Sequence, residues 1–185
     1  TRIERTIMTS VSDVTSRTVI DLLTAKGLVN IASHRFTGVA QGEVREVVVQ
    51  NPATESGTLF IALTSVNSQG LLDVDILENV TIDTPGTDVN VENLTIGESV
   101  ESDIEVEFGG DYSGGDEHSE DVAPGGAGGP GGSGSVAGSA LGSLTGITLN
   151  EDQNVMYQFT NRSTSTIRFA VKLITTESSD KLVTP

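Results

Sequence analysis

Six ionisable side chains crowd into one short stretch of this 185-residue chain: Asp111, Asp116, Glu117, His118, Glu120 and Asp121. Hard cations take oxygen ligands, which makes Asp111, Asp116, Glu117 and Asp121 the candidate ligands for Ca2+ or Mg2+. The spacing does not match an EF-hand loop, which needs alternating acids, a central Gly and a terminal Glu. A solvated acidic loop with no cofactor is the expectation, and a divalent-cation site is the alternative. Farther on, Gly126-Ala127-Gly128-Gly129-Pro130-Gly131 spells G-x-G-x-x-G. That fingerprint holds a pyrophosphate only where a strand feeds a helix N-terminus. Here it lies in a Gly/Pro/Ser tract, so nucleotide binding is not expected.

Nucleophilic and acid–base chemistry have little to work with. His34 and His118 are the only imidazoles, and the chain has no Cys. No Ser has the G-x-S-x-G setting of a nucleophile elbow. Asp103, Glu105 and Glu107 fall on one side of an alternating segment, a water-facing pattern rather than the paired carboxylates of a glycosidase cleft. The expectation is a non-enzymatic protein. Asn79-Val80-Thr81, Asn93-Leu94-Thr95 and Asn161-Arg162-Ser163 are N-glycosylation sequons, a pattern compatible with an exposed surface. Chance also supplies such triplets among nine Asn and many Ser and Thr.

The elements that must position these groups are strands. Leu72, Val74 and Ile76 interleave with Asp73 and Asp75; Ile104, Val106 and Phe108 interleave with Asp103, Glu105 and Glu107. Ile167, Phe169, Val171 and Leu173 interleave with Arg168, Ala170 and Lys172. Period two with charge on one side describes a half-buried strand. Further strands are expected over Val29–Phe36, Val44–Val49, Thr58–Thr64, Val89–Leu94, Gly146–Leu149 and Val155–Thr160. Turn chemistry separates them at Asn51-Pro52, Ser68-Gln69-Gly70, Pro85-Gly86 and Asn150-Glu151-Asp152. About eight or nine short strands with frequent turns predict an all-β protein, an antiparallel β-sandwich or jelly roll.

That fold is expected over residues 28–108 and 147–176, with a C-terminal tail at 177–185. Residues 109–146 hold fourteen Gly in thirty-eight positions and read as a glycine-rich acidic loop. Glycine packs nothing and loses the most entropy on ordering, so order there would need a neighbouring subunit. Residues 1–27 differ again, carrying Arg2, Arg5, Arg17 and Lys26. They read as an anchoring arm, or as a frayed terminus. Within them, Thr18 to Lys26 suits either a short helix closed by Gly27 or a strand.

Charge sets limits on partners. Twenty-six acids oppose ten bases, for a net of −16, and no Lys or Arg occurs between Arg45 and Arg162. Nucleic acids and anionic lipid both demand basic groups, so neither is an expected partner. No window approaches 18 consecutive apolar residues. Self-repulsion at this charge destabilises a compact state unless salt screens it, which points to a high-salt, haloarchaeal-type milieu. Ordinary acidic solubility is the blander account. Without disulfides, stability must come from core burial and association.

Several segments together resemble the small capsid-decoration, turret or head-fibre proteins of tailed double-stranded DNA viruses, with a haloarchaeal tailed virus as the implied source. They are Ala32 to Ala40, Leu72 to Thr81, Gly86-Thr87, Asn93 and the glycine-rich Pro124-Gly125-Gly126. The later ones are Leu149 to Asp152, Tyr157-Gln158-Phe159-Thr160-Asn161-Arg162-Ser163 and the final alternating run Ile167 to Ile174. The chain lacks the Trp that such proteins often carry before the Leu-turn, and Lys172-Leu173-Ile174 replaces their aromatic-acid ending. The resemblance implies a β-sandwich that assembles as a homo-oligomer, a trimer or pentamer, on the virion surface. It supplies no catalytic residues.

The expected function is thus a structural virion protein that decorates and stabilises the capsid. Arg2, Arg5, Arg17 and Lys26 would anchor it to the major capsid protein or another head protein, and a host-surface glycan would be a further partner. The alternative is a subunit of an archaeal extracellular filament or pilus joined by strand donation. A carbohydrate-binding module is a third reading, disfavoured by so few aromatics: two Tyr and five Phe, with no Trp.

Overall fold

The structure, a computed structural model, describes residues 29–52, 57–94, 104–123, 134–136 and 147–179. The candidate anchoring residues Arg2, Arg5, Arg17 and Lys26, and also Asp103, lie outside them. All regular structure among the described residues is β, and all of it pairs antiparallel.

In chain order the strands are β1 (Val29–Val39), β2 (Val44–Asn51), β3 (Gly57–Ser68), β4 (Leu72–Glu78), β5 (Thr81–Thr84), β6 (Thr87–Asp88) and β7 (Val91–Asn93). There follow β8 (Glu105–Phe108), β9 (Asp111–Ser113), β10 (Asp116–Ala123), β11 (Gly134–Val136), β12 (Ile147–Leu149), β13 (Gln153–Asn161) and β14 (Ile167–Ser179). One sheet runs β3-β14-β1-β7, with β11 and β12 both against the far edge of β3; the other runs β10-β4-β13-β2-β8-β6. β5 and β9 form a separate two-stranded sheet.

Alternation decides which side of each strand is buried. On β14, Ile167, Phe169, Val171 and Leu173 are buried while Arg168 and Lys172 are exposed. On β4, Leu72, Val74 and Ile76 are wholly buried and Asp73 and Asp75 only half so. These faces, with Ala32 and Phe36 of β1, Val47 and Val49 of β2, and Val155, Tyr157 and Phe159 of β13, join one hydrophobic cluster drawn from both six-stranded sheets. Phe36, Phe159 and Phe169 tie the sheets at its centre, with Phe169 4.8 Å from Phe36 and 5.2 Å from Phe159 between ring centroids. Each such side chain contributes about 1.5–3 kcal/mol on burial.

The chain departs from its sequence-based outline in three places. Fourteen strands are described where eight or nine are expected. The stretch 109–146 is not simply loop: β9 and β10 occupy residues 111–113 and 116–123, and β11 residues 134–136. β10 forms because its backbone pairs with β4 from Asp116 opposite Glu78 to Ala123 opposite Leu72. That bonding needs no apolar side chain, so its acidic sequence carries no period-two signal. Finally, β14 continues through Ser179 into the expected tail, paired with β3 as far as Gly57.

The acidic outer side of β2, β13 and β4 is also not fully open to water. Val48, Met156 and Val80 form a second buried cluster, with Leu77, Ile82 and Tyr112 packed against it. The β5–β9 sheet supplies Ile82 and Tyr112. Gly86 and Gly110 let the chain close over this point, since a Cβ on Gly110 would sit 2.5 Å from the Thr84 carbonyl oxygen.

Candidate functional site

Backbone pairing spreads the candidate cation ligands along two strands. Asp111 lies on β9 and Asp116, Glu117 and Asp121 on β10, and the first three are exposed. Their backbone partners differ: Thr84 for Asp111, Glu78 for Asp116, Leu77 for Glu117 and Val74 for Asp121. Among the described residues no three acidic or imidazole groups gather as a metal site would need.

The two imidazoles sit apart, on different sheets. His34 of β1 stacks on Phe108 with centroids 3.6 Å apart and meets Phe36 edge-on at 4.6 Å. Partial burial lowers its pKa and favours the neutral ring. His118 of β10 pairs through Nδ1 with the Glu78 carboxylate. Glu107, placed on the water-facing side by its sequence pattern, is half-buried; one carboxylate oxygen accepts from the Gly86 N–H at 2.9 Å and the other is buried with no hydrogen-bond partner among the described residues. Nearby, burial first and the Glu107 charge after it push the Tyr112 hydroxyl up to about 12, while its oxygen accepts from the Gly110 N–H at 3.1 Å. These groups hold the small sheet onto β8 rather than lining a cleft.

The sequons separate by burial. Asn161 is wholly buried, and its amide donates to the carbonyls of Val39 and Ser165, each at 3.0 Å. Its side-chain oxygen accepts from the Ser163 N–H at 2.8 Å. It therefore locks the crossover from β1 to β2, where Gly42 and Glu43 also bond its backbone. Asn93 is half-buried and bonds Asn30. Asn79 is exposed, in the left-handed region at φ 54°.

The feature that stands out is charge distributed by sheet. The strands β2, β4, β6, β8 and β10 carry Glu46, Asp73, Asp75, Glu78, Asp88, Glu105, Glu107, Asp116, Glu117, Glu120 and Asp121, against Arg45 alone. The opposite sheet carries Arg35, Arg168 and Lys172 against Glu92 and Glu177. Arg45 pairs with Glu43 at 2.6 Å and Arg162 with Asp73. Arg35, Arg168 and Lys172 are exposed, with no carboxylate partner among the described residues. Alternation marks Arg168 and Lys172 as the polar half of a strand but does not reveal the cationic face. The signal was the parity they share with Arg35, legible only once β1 is known to lie beside β14.

Such an arrangement can bind an acidic surface. Comparison with known proteins adds no identity, because no family model, curated protein or solved structure matches the chain.

Proposed function

We propose that the chain is a structural virion protein, a jelly-roll β-sandwich that assembles with copies of itself on the outside of a tailed-virus capsid in a high-salt environment. One observation carries the reading: the nested order of the long strands. With β5 to β9 set aside as an insertion, and β11 with β12 taken as one broken strand, eight strands remain. Their sheets then read first–eighth–third–sixth (β1, β14, β3, β11/β12) and second–seventh–fourth–fifth (β2, β13, β4, β10). That order arises when a long antiparallel ribbon rolls up on itself, the plan of capsid and lectin jelly rolls. The plan hosts unrelated functions, so the acidic exterior and the resemblance to decoration proteins supply the choice among them.

In this role residues 1–27, with Arg2, Arg5, Arg17 and Lys26, attach to a head protein, and no catalytic step is assigned. Deleting residues 1–27 is expected to release an intact β body from particles, measured as copies per particle by quantitative mass spectrometry. Undiminished occupancy overturns the anchoring role. Electron microscopy of the purified chain in brine separates closed rings, expected here, from the open filaments of the pilus alternative.

A further inference from the structure

The two six-stranded sheets share a core, so their outer faces point away from each other, one cationic and one anionic. On the first, Arg35 lies directly opposite Ala170, and Arg168 and Lys172 flank Ala170 on the same side of β14. Diagonal neighbours of this kind stand about 7–8 Å apart. Three cations with no carboxylate partner among the described residues thus share one patch, bordered by Ser33, Ser65 and Asn67. On the second, Glu46, Gln158 and Asp75 form one cross-strand row over β2, β13 and β4, and Asp73, paired with Arg162, lies in the next row. Gln158 donates to Glu46 at 2.8 Å, while Asp75 has no cationic partner among the described residues.

We propose that the Arg35–Arg168–Lys172 face of one copy docks on the Glu46–Asp73–Asp75 face of the next, joining copies head to tail. The inference rests on the homo-oligomeric reading above and names its contact. Every copy carries both halves, and a contact between unlike faces closes into a ring if its rotation permits and otherwise continues as a filament. High salt is compatible with it. Long-range repulsion between two −16 bodies is screened, whereas close pairs excluded from water are screened much less.

The test uses full-length chain and two charge-reversed variants, R35E/K172E and E46K/D75K, each checked for a native circular dichroism spectrum and melt. By sedimentation velocity in about 1 M KCl, where the Debye length is ~3 Å, the native chain is expected to self-associate. Each variant alone is expected to weaken that association at least tenfold. Mixed together, they offer one native pair of faces and one pair with both signs swapped, and are expected to regain association beyond the dimer. Native-like assembly of either variant alone, a monomeric native chain, or no association in the mixture overturns the contact. If R35E/K172E assembles normally but leaves the particle, the cationic face serves a different acidic protein; the contact then falls while the virion role stands.

Discussion

Asn161 offers the sharpest check on how the two sheets are held together. Replacing it with Ala removes three hydrogen bonds at once, to the carbonyls of Val39 and Ser165 and from the Ser163 N–H. The Val39 bond is fully buried and the other two partly so. An unsatisfied buried group costs about 1–3 kcal/mol. Counting one in full and two at a discount gives a loss of about 3 kcal/mol. For a domain of this size that corresponds to a drop in melting temperature of roughly 6–12 °C. Urea titration with circular dichroism reads the first quantity and scanning calorimetry the second. Asn161→Asp should cost at least as much, because it sets a carboxylate against two carbonyl oxygens. Asn67→Ala, on the exposed side of β3, should stay within about 0.5 kcal/mol. An Asn161→Ala protein as stable as the Asn67→Ala control would refute the assignment of this side chain as the tie between β1 and the β13–β14 turn.

Gly86→Ala is expected to cost about 1–3 kcal/mol, since its Cβ would meet the Phe108 carbonyl and the Tyr112 hydroxyl; hydrogen exchange should quicken in β5 and β9 while β14 stays protected. Unchanged exchange in β5 would count against the close approach there. Tyr112 carries a pH signature: its pKa is raised from 10.0 to about 12 in the fold, so the unfolded chain releases this proton first. Its stabilising effect is whole below pH 10 and lost as pH climbs through about 12. Tyr112→Phe should flatten stability over that interval, and an unaltered profile would remove Tyr112 as the cause. For the whole body, the thermal midpoint should rise between about 0.1 M and 2 M KCl as the Debye length falls from ~10 Å to under 3 Å. An unmoved midpoint removes the case for a saline environment.

Strand identity was legible wherever apolar and polar residues alternated: β4 and β14 match their patterns, because side-chain parity alone sorts inward from outward positions, while on β8 the outward Glu107 is half-buried beside Gly86. β5, β9 and β10 were not legible. Thr81–Thr84, Asp111–Ser113 and Asp116–Ala123 hold too few apolar residues for any period, and they are strands because β4 and each other offer unpaired backbone. Asn161 illustrates the same limit. The sequon it spells suggested exposure, and only the meeting of β1, β13 and the following loop buries it.

From the sequence alone come the all-β character, the acidic excess and the face each long strand turns inward, because all three depend on residue type and spacing within one strand. Tertiary structure decided which strands are neighbours, and with that where charge collects. The strands β1 to β4 alternate between the two sheets, as do β13 and β14, so Arg35 and Lys172 are far apart in the chain yet share a face, while Glu46, next along from β1, belongs to the opposite one. Pairing register joins residues across great sequence distance, and no local pattern records it.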